Sequence, residues 1–425
     1  MRTRMSGLWS NPDFLKLWGS DTISLFGVHA TLLALPLTAV ALGASAFQLG
    51  LLTVAQAAPA LLLGLFVGVW VDRRRRRPLL IAANLARAAA LGTIPLAAFA
   101  GRLHLAHLYV AAFLAGAAAI LFVVAYQAFL PTVVPHERLV DGNSALRASE
   151  ATAQFAGPSL GGLLVPLLTA PVTLAVGALA SLGSALAVAA IRVTEPTPGG
   201  DRGQRLGGAI GEGVRFVLGH PILRPLLVIS TGGALCGNMI VSIAALYVTR
   251  DLGLPTWAFG SVIGTGGPAA LAGALLTGRI MRRWGIGRLL IGTACGAVAA
   301  ALAAGFAGGP PPLTVALLVA WRALAGGAEA MSGVANATLT QTLPPPQLRG
   351  RVNATVRVFA WGAIALGGLL GGALGEWIGL RPTVLIAALG VALAALLLAR
   401  SPVRMLRDQP ISAELHSPLG GVPHD

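Results

Sequence analysis

Twelve times along this chain, about twenty residues pass with almost no charge. A stretch of that length and composition crosses the hydrocarbon core of a bilayer as an α-helix, because the helix pairs its own backbone amides where no water can. The runs fall at roughly 17–42, 47–71, 78–100, 106–130, 145–169, 172–192, 222–248, 255–280, 288–308, 313–340, 355–378 and 382–400. Only 11% of the 425 residues are charged, against about 25% in soluble domains. The expected fold is an all-α membrane protein with twelve transmembrane helices. Its expected organisation is an N-terminal six-helix bundle (1–192), a polar connector (193–221), a C-terminal six-helix bundle (222–401) and a polar tail (402–425).

The 30 Lys and Arg against 15 Asp and Glu give a net charge of +15. That excess is scattered between apolar runs, so nucleic acid is not an expected partner; membrane lipid is. With the N-terminus in the cytoplasm, 25 of the 30 basic residues fall on the cytoplasmic side and Arg102, Arg250 and Arg381 outside. Arg87 and Arg322 stay within the membrane. This asymmetry predicts that both termini are cytoplasmic. Arginine outnumbers lysine 29 to 1, the mark of a GC-rich bacterial genome, so the expected location is a bacterial inner membrane. No signal-peptide pattern is visible in the first twenty residues. Cys236 and Cys295 lie in apolar runs and form no metal or disulfide pattern. In the connector, Ile210, Val214, Val217 and Leu218 share a helical face, too short to span and expected to lie at the interface.

A shift of 210 residues aligns the two halves. Gly50 falls on Gly260, Gly68 on Gly278, Arg73 on Arg283, Gly116 on Gly326, Pro135 on Pro345 and Asn143 on Asn353. Gly157, Gly161 and Gly162 fall on Gly367, Gly371 and Gly372. Six spans per half is an even number, so the repeats are parallel, related by an axis along the membrane normal. Two such bundles enclose a cavity near the midplane, which rocking exposes to alternate sides. The architecture argues for transport before any motif is read.

The motifs agree. GVWVDRRRRR (68–77) follows span 2 and AQFAGPSLGG (153–162) lies in span 5. These resemble two signatures of the major facilitator superfamily. The first is G-x-x-x-D-R-x-G-R-R/K, matched by Gly68, Asp72, Arg73, Arg76 and Arg77, with Arg75 in place of the second glycine. The second is G-x-x-x-G-P-x-x-G-G, matched by Gly157, Pro158, Gly161 and Gly162 and departing at Ala153; in that family it is associated with antiporters. NPDFLKLWGSDTISLFG, LPTVVPHERLVDGNSAL and its echo LPPPQLRGRVNATV resemble the branch that contains the enterobactin exporter and the macrolide efflux proteins.

Asp72 ends span 2, where its own helix dipole disfavours an anion. The start of span 11, with Arg357 in its first turns, can receive it. In the family this loop is thought to latch the two spans together, so Asp72 and Arg357 are expected latch partners. Membrane anchoring of the arginines is an equally open reading. The repeat copy carries Arg282 where Asp72 stands in the first half, and pseudo-symmetry points it at Glu150. A Glu150 that merely keeps its head in water is the alternative.

Charges inside the membrane cost about 2.5–3.5 kcal/mol each, so each asks for a role. Glu329, with Arg322 seven residues away on nearly the same face of span 10, is the leading proton carrier, followed by Asp21 and His29. Arg87 is expected to pair or to snorkel. The cavity lining is expected from Thr31, Phe122, Tyr126, Gln127, Asn238, Met239, Ser242, Tyr247, Met331 and Asn336. Few of these are charged, which favours a bulky amphipathic small molecule over a sugar or a small anion. No P-loop, HExxH or GxSxG is present, so neither ATP drive nor hydrolase chemistry is expected, and no cofactor or metal. GTGGPA (264–269) lies inside span 8, where Pro268 removes an amide, and is no dinucleotide site. The reading is a monomeric, proton-driven exporter of drug-like or siderophore-like molecules. Uptake by symport or uniport, and a non-transporting membrane sensor or scaffold, are the alternatives.

Overall fold

A computed structural model describes residues 6–135, 138–193, 195, 206–345 and 347–406. The twelve expected spans form twelve long helices. In the N-terminal half they are α1 (Pro12–Ala41), α2 (Ala46–Asp72), α3 (Arg76–Phe99), α4 (Leu105–Val133), α5 (Leu139–Leu168) and α6 (Ala170–Ala189). In the C-terminal half they are α7 (Leu223–Leu246), α8 (Thr256–Trp284), α9 (Ile286–Gly305), α10 (Pro311–Thr342), α11 (Arg349–Trp377) and α12 (Leu380–Arg400). All but α5 pass as membrane-crossing helices on the length and composition of their described residues. α5 has 30 residues and packs between α1 and α8. α1, α5 and α11 begin five or six residues before their apolar runs, because their first turns are polar and carry Asp13, Asp141 and Arg349. A connector helix (Leu206–Gly219) and a short N-terminal turn (Ser6–Trp9) lie outside the twelve.

The 210-residue offset is exact at element starts. Ala46, Arg76, Leu139 and Ala170 open α2, α3, α5 and α6; Thr256, Ile286, Arg349 and Leu380 open α8, α9, α11 and α12. It extends to contacts. A Cβ on Gly116 would lie 2.9 Å from the Gln56 carbonyl oxygen, and its counterpart Gly326 meets the Gly266 carbonyl in the same way. Within each half, helices one, three and four of the set pack on the same neighbours as their counterparts, and the halves join through two equivalent pairs, α2 with α11 and α5 with α8.

The face carrying the arginine-rich loops, the basic face, is built on backbone caps from distant segments. Asn11 accepts from the amides of Asp13 and Phe14 at the start of α1, and its Nδ2 donates to the Val133 carbonyl that ends α4. The Glu195 carboxylate accepts from the amides of Arg76 (2.7 Å) and Arg77 (3.3 Å), an anion on the positive end of α3. Arg77 in turn donates to the last carbonyls of α6, at Ala189 and Val188. In the second half the Gly287 amide donates to the Leu406 carbonyl, so the segment after α12 closes α9 as the segment after α6 closes α3.

The connector helix does not lie free at the interface. It docks on α11 and α7, with Val217 fully buried and Gly213 against the Arg351 carbonyl, while Glu212 pairs with Arg351. Leu218 is 43% exposed and lies off the docked face, and the Ile210 side chain lies outside the described residues. His220 joins this helix to α7, its Nδ1 accepting from the amides of Ile222 and Leu223. Burial lowers the His220 pKa, and a protonated ring could neither accept nor sit comfortably on the positive helix end. A lowered folded-state pKa means the cap's contribution is complete above about pH 6.5 and is lost as pH falls toward the lowered value. His220→Ala therefore costs about 1 kcal/mol at pH 7.5 and much less at pH 5, read as thermal unfolding of the two proteins in detergent; a pH-independent difference refutes the cap.

Candidate functional site

The buried side chains divide unevenly. One continuous apolar core joins both halves at the face opposite the arginines, from Leu33, Leu49 and Leu52 to Ile243, Leu246 and Val384. Toward the basic face there are two separate cores. One contains only first-half residues such as Phe14, Val71, Leu80, Phe129 and Leu146; the other only second-half residues such as Leu226, Ile286, Leu339 and Val352. The bundles thus meet at one end and part at the other. The lower half of α2 leaves Leu62, Phe66 and Trp70 exposed, and the lower half of α11 leaves Val358, Phe359 and Trp361 exposed.

The closed end is a seam of glycines. Cβ atoms on Gly50 and Gly372 would lie 2.5 Å from the Gly368 carbonyl oxygen and 2.7 Å from that of Ala46, respectively. Gly368 lies against Thr53, and Gly375 against Ala46. The second-half copy of the span 5 signature is two-sided. Gly367 and Gly371 press on α7, at Leu235, Asn238 and Met239, while Gly368 and Gly372 press on α2 of the other bundle. In the first half Gly157 sits against His29 and Gly161 against Ala30 and Leu33 of α1. The side chains of Pro158 and Gly162 lie outside the described residues.

The expected lining residues separate by placement. On α4, Phe122 and Tyr126 are buried with ring centroids 5.6 Å apart and planes tilted by 31°, and the Tyr126 hydroxyl has no hydrogen-bond partner among the described residues. Asp21 of α1 lies near enough to act on it electrostatically. Gln127 is exposed. On α10, Glu329 is exposed, one turn from exposed Gly333, while Trp321, Ala328, Ala335 and Leu339 are buried. The Asn336 Oδ1 is buried without a donor. Arg322 stacks on Trp321 (5.6 Å) and packs on Gly266, with its Nε unpaired; it makes no ion pair with Glu329.

Other residues sit in packing seams. Tyr247 is 1% exposed and donates to the Ala304 carbonyl (3.0 Å) inside the closed-end core, in a π-turn (Tyr247–Asp251) that continues α7. Met239 and Ser242 are buried against Gly371; Asn238 lies against Gly367 and donates to its own helix at Ala234. Met331 fills space beside Gly273 of α8. Thr31 is buried against Gly177 of α6. The hydroxyls of Thr31, Ser242 and Tyr247 and the Asn238 amide are consumed by i−3, i−4 or cross-helix carbonyls, which a count of mid-depth polar residues cannot reveal.

Of the latch residues, Gly68 has open space where a Cβ would stand, and Arg73, Arg282, Glu150 and Arg357 are exposed. Arg282 lies back along its own helix, its Nη1 3.6 Å from a Cβ on Gly278. Arg76 and Arg77 serve the α3 and α6 caps. The Asp72 side chain lies outside the described residues. Glu150 acts on His29, as does Arg87.

Residues 17–318 match the sequence profile of the Major Facilitator Superfamily. The chain belongs to that superfamily. It is 28% identical over 432 residues to the multidrug efflux pump Tap of Mycobacterium tuberculosis, covering 97% of this chain and 98% of that protein. It is 26% identical to the uncharacterized MFS-type transporter YfiS of Bacillus subtilis, covering 88% and 89%. Among solved structures it superposes on the nucleoside transporter NupG with a TM-score of 0.74 at 14% identity, covering 91% of this chain and 98% of that one. As a superfamily member the chain is a multi-pass membrane transporter of small molecules built from twelve helices, and not an enzyme.

Proposed function

We propose that this superfamily member is a proton-coupled exporter of amphipathic, drug-like or siderophore-like molecules, acting as a monomer in a bacterial inner membrane with both termini in the cytoplasm. The observation that carries the reading is the division of the core, one across both bundles at one face and two at the other. With the basic face cytoplasmic, this is a cleft open to the cytoplasm, where cargo for export is collected. Likeness to a multidrug efflux pump along 97% of the chain supports export and a broad cargo. Glu329, exposed on α10, is the proton carrier, and Asp21 beside Tyr126 is the second acid.

The cycle alternates two packings. Cargo enters from the cytoplasm while the glycine seam holds the outer ends together. Rocking then opens the seam and brings the Asp72 loop to Arg357 and Arg282 to Glu150. A proton taken up from outside neutralises Glu329 and is released to the cytoplasm on return. The proton motive force is the energy source, worth about 2.3 kcal/mol per proton at 100 mV. In proteoliposomes with an outside-acid pH gradient, hydrophobic antibiotics such as macrolides should accelerate collapse of the gradient. Compounds that cross equally fast with no gradient present would refute coupling, and accumulation only in the opposite direction would refute export.

A further inference from the structure

Arg87 is the one buried arginine among the described residues whose position explains neither a cap nor an anchor. It was expected to pair or to snorkel, and it does neither. It sits in the middle of α3, eleven residues from the end at Arg76 and roughly 16 Å along the axis, too deep to reach water along its own helix. The residue is 5% exposed. Its Nη1 donates to the Ser24 Oγ of α1 at 3.3 Å. No carboxylate comes within ion-pair reach of it among the described residues. An arginine cannot shed its proton to escape burial, so an anionic partner is the remaining way to compensate the charge.

The surroundings fit one. Among the described residues, Nε and Nη2 of Arg87 have no hydrogen-bond partner, and neither is among the fully enclosed unpaired atoms, where Arg322 Nε is. Ser24 accepts from Arg87 and has no acceptor for its own hydroxyl proton among the described residues. The nearby polar groups are already engaged: Ser20 with the Leu17 carbonyl, Asn84 with Ser184, and Ser181 with the Gly177 carbonyl. Two guanidinium N–H positions and the hydroxyl beside them are therefore donors without a protein acceptor among the described residues.

We infer that Arg87 and Ser24 form a binding site for a singly charged anionic group inside the N-terminal bundle. Two sources share that chemistry: a free monovalent ion such as chloride, or a carboxylate carried on the transported molecule, the second resting on the export reading. The test is thermal unfolding of the purified full-length protein in nonionic detergent, replacing sodium gluconate stepwise by sodium chloride at constant sodium. A free-ion site raises the unfolding temperature saturably by about 2 °C or more, and Arg87→Met removes the response. A cargo-borne carboxylate leaves chloride without effect, while a fluoroquinolone shifts the transition and its methyl ester does not. Should Arg87→Met fail to fold, Ser24→Ala keeps the cation and loses one donor, raising the half-saturating concentration about 5-fold. Wild-type protein indifferent to both chloride and the fluoroquinolone overturns the site. So does an Arg87→Met protein that responds as wild type does.

Discussion

Gly372→Val leaves the closed end unable to close. A Cβ there would stand 2.7 Å from the Ala46 carbonyl oxygen and 2.9 Å from the Gly50 Cα, and both are backbone atoms that no rotamer change can move. Valine adds two methyls beyond that. Overpacking of this kind costs about 1–3 kcal/mol, and here the cost falls on only one of the two packings, because the seam exists only while the ends are together. A one-sided cost of that size shifts a two-state population about 5- to 150-fold. The expected result is loss of transport with the protein folded and held open at the seam. The measurement is labelling of Thr53→Cys by a membrane-impermeant maleimide, in a background with Cys236 and Cys295 replaced. Thr53 packs under Gly368 and is half-buried, so its labelling is slow in the parent and faster in Gly372→Val. Unchanged labelling together with normal transport would show that the seam is not a gate.

Glu329→Gln separates cargo movement from its energy source. The substitution keeps the shape of a side chain that is exposed on α10 and takes no protein partner among the described residues, so the fold has little to lose. It removes the group that titrates. If Glu329 carries the proton, the variant still exchanges cargo across the membrane but cannot concentrate it. One proton at 100 mV is worth about 2.3 kcal/mol, or about a 50-fold concentration ratio, and that ratio collapses toward unity. The readout pairs gradient-driven accumulation of a macrolide in inverted vesicles with cargo exchange at zero gradient. Retained accumulation removes Glu329 from the proton path and leaves Asp21 as the next acid to change. Loss of exchange as well would place Glu329 on cargo binding instead.

Much of this architecture could be read before any coordinates, and the reason is periodicity. Apolar runs set the twelve helices, and a fixed offset of 210 set the symmetry that the helix starts of α2, α3, α5 and α6 repeat residue for residue. Gly157 and Gly161 stand out in the sequence as part of a glycine-rich signature, and the structure gives them the task of bringing α5 against α1. Caps were not. Glu195 and Leu406 close α3 and α9 from segments that follow other helices, and such long-range backbone bonds leave no periodic trace. Tyr247 illustrates the same limit inside the membrane: an aromatic hydroxyl at that depth could face a cavity or a carbonyl, and only packing assigns it to Ala304. Ser24 went unremarked because a lone serine carries no signal until an arginine arrives beside it.

The seam between α2 and α11 also bears on how such a protein changes over generations. Contacts between one main chain and another leave natural variation a single direction, toward something larger, and every step that way is blocked. The exposed polar residues of α4 and α10, Gln127 and Glu329, are under no such restriction. Leak-tightness and cargo choice are thereby written in separate alphabets, so a lineage can rewrite what it carries without ever putting the barrier at risk.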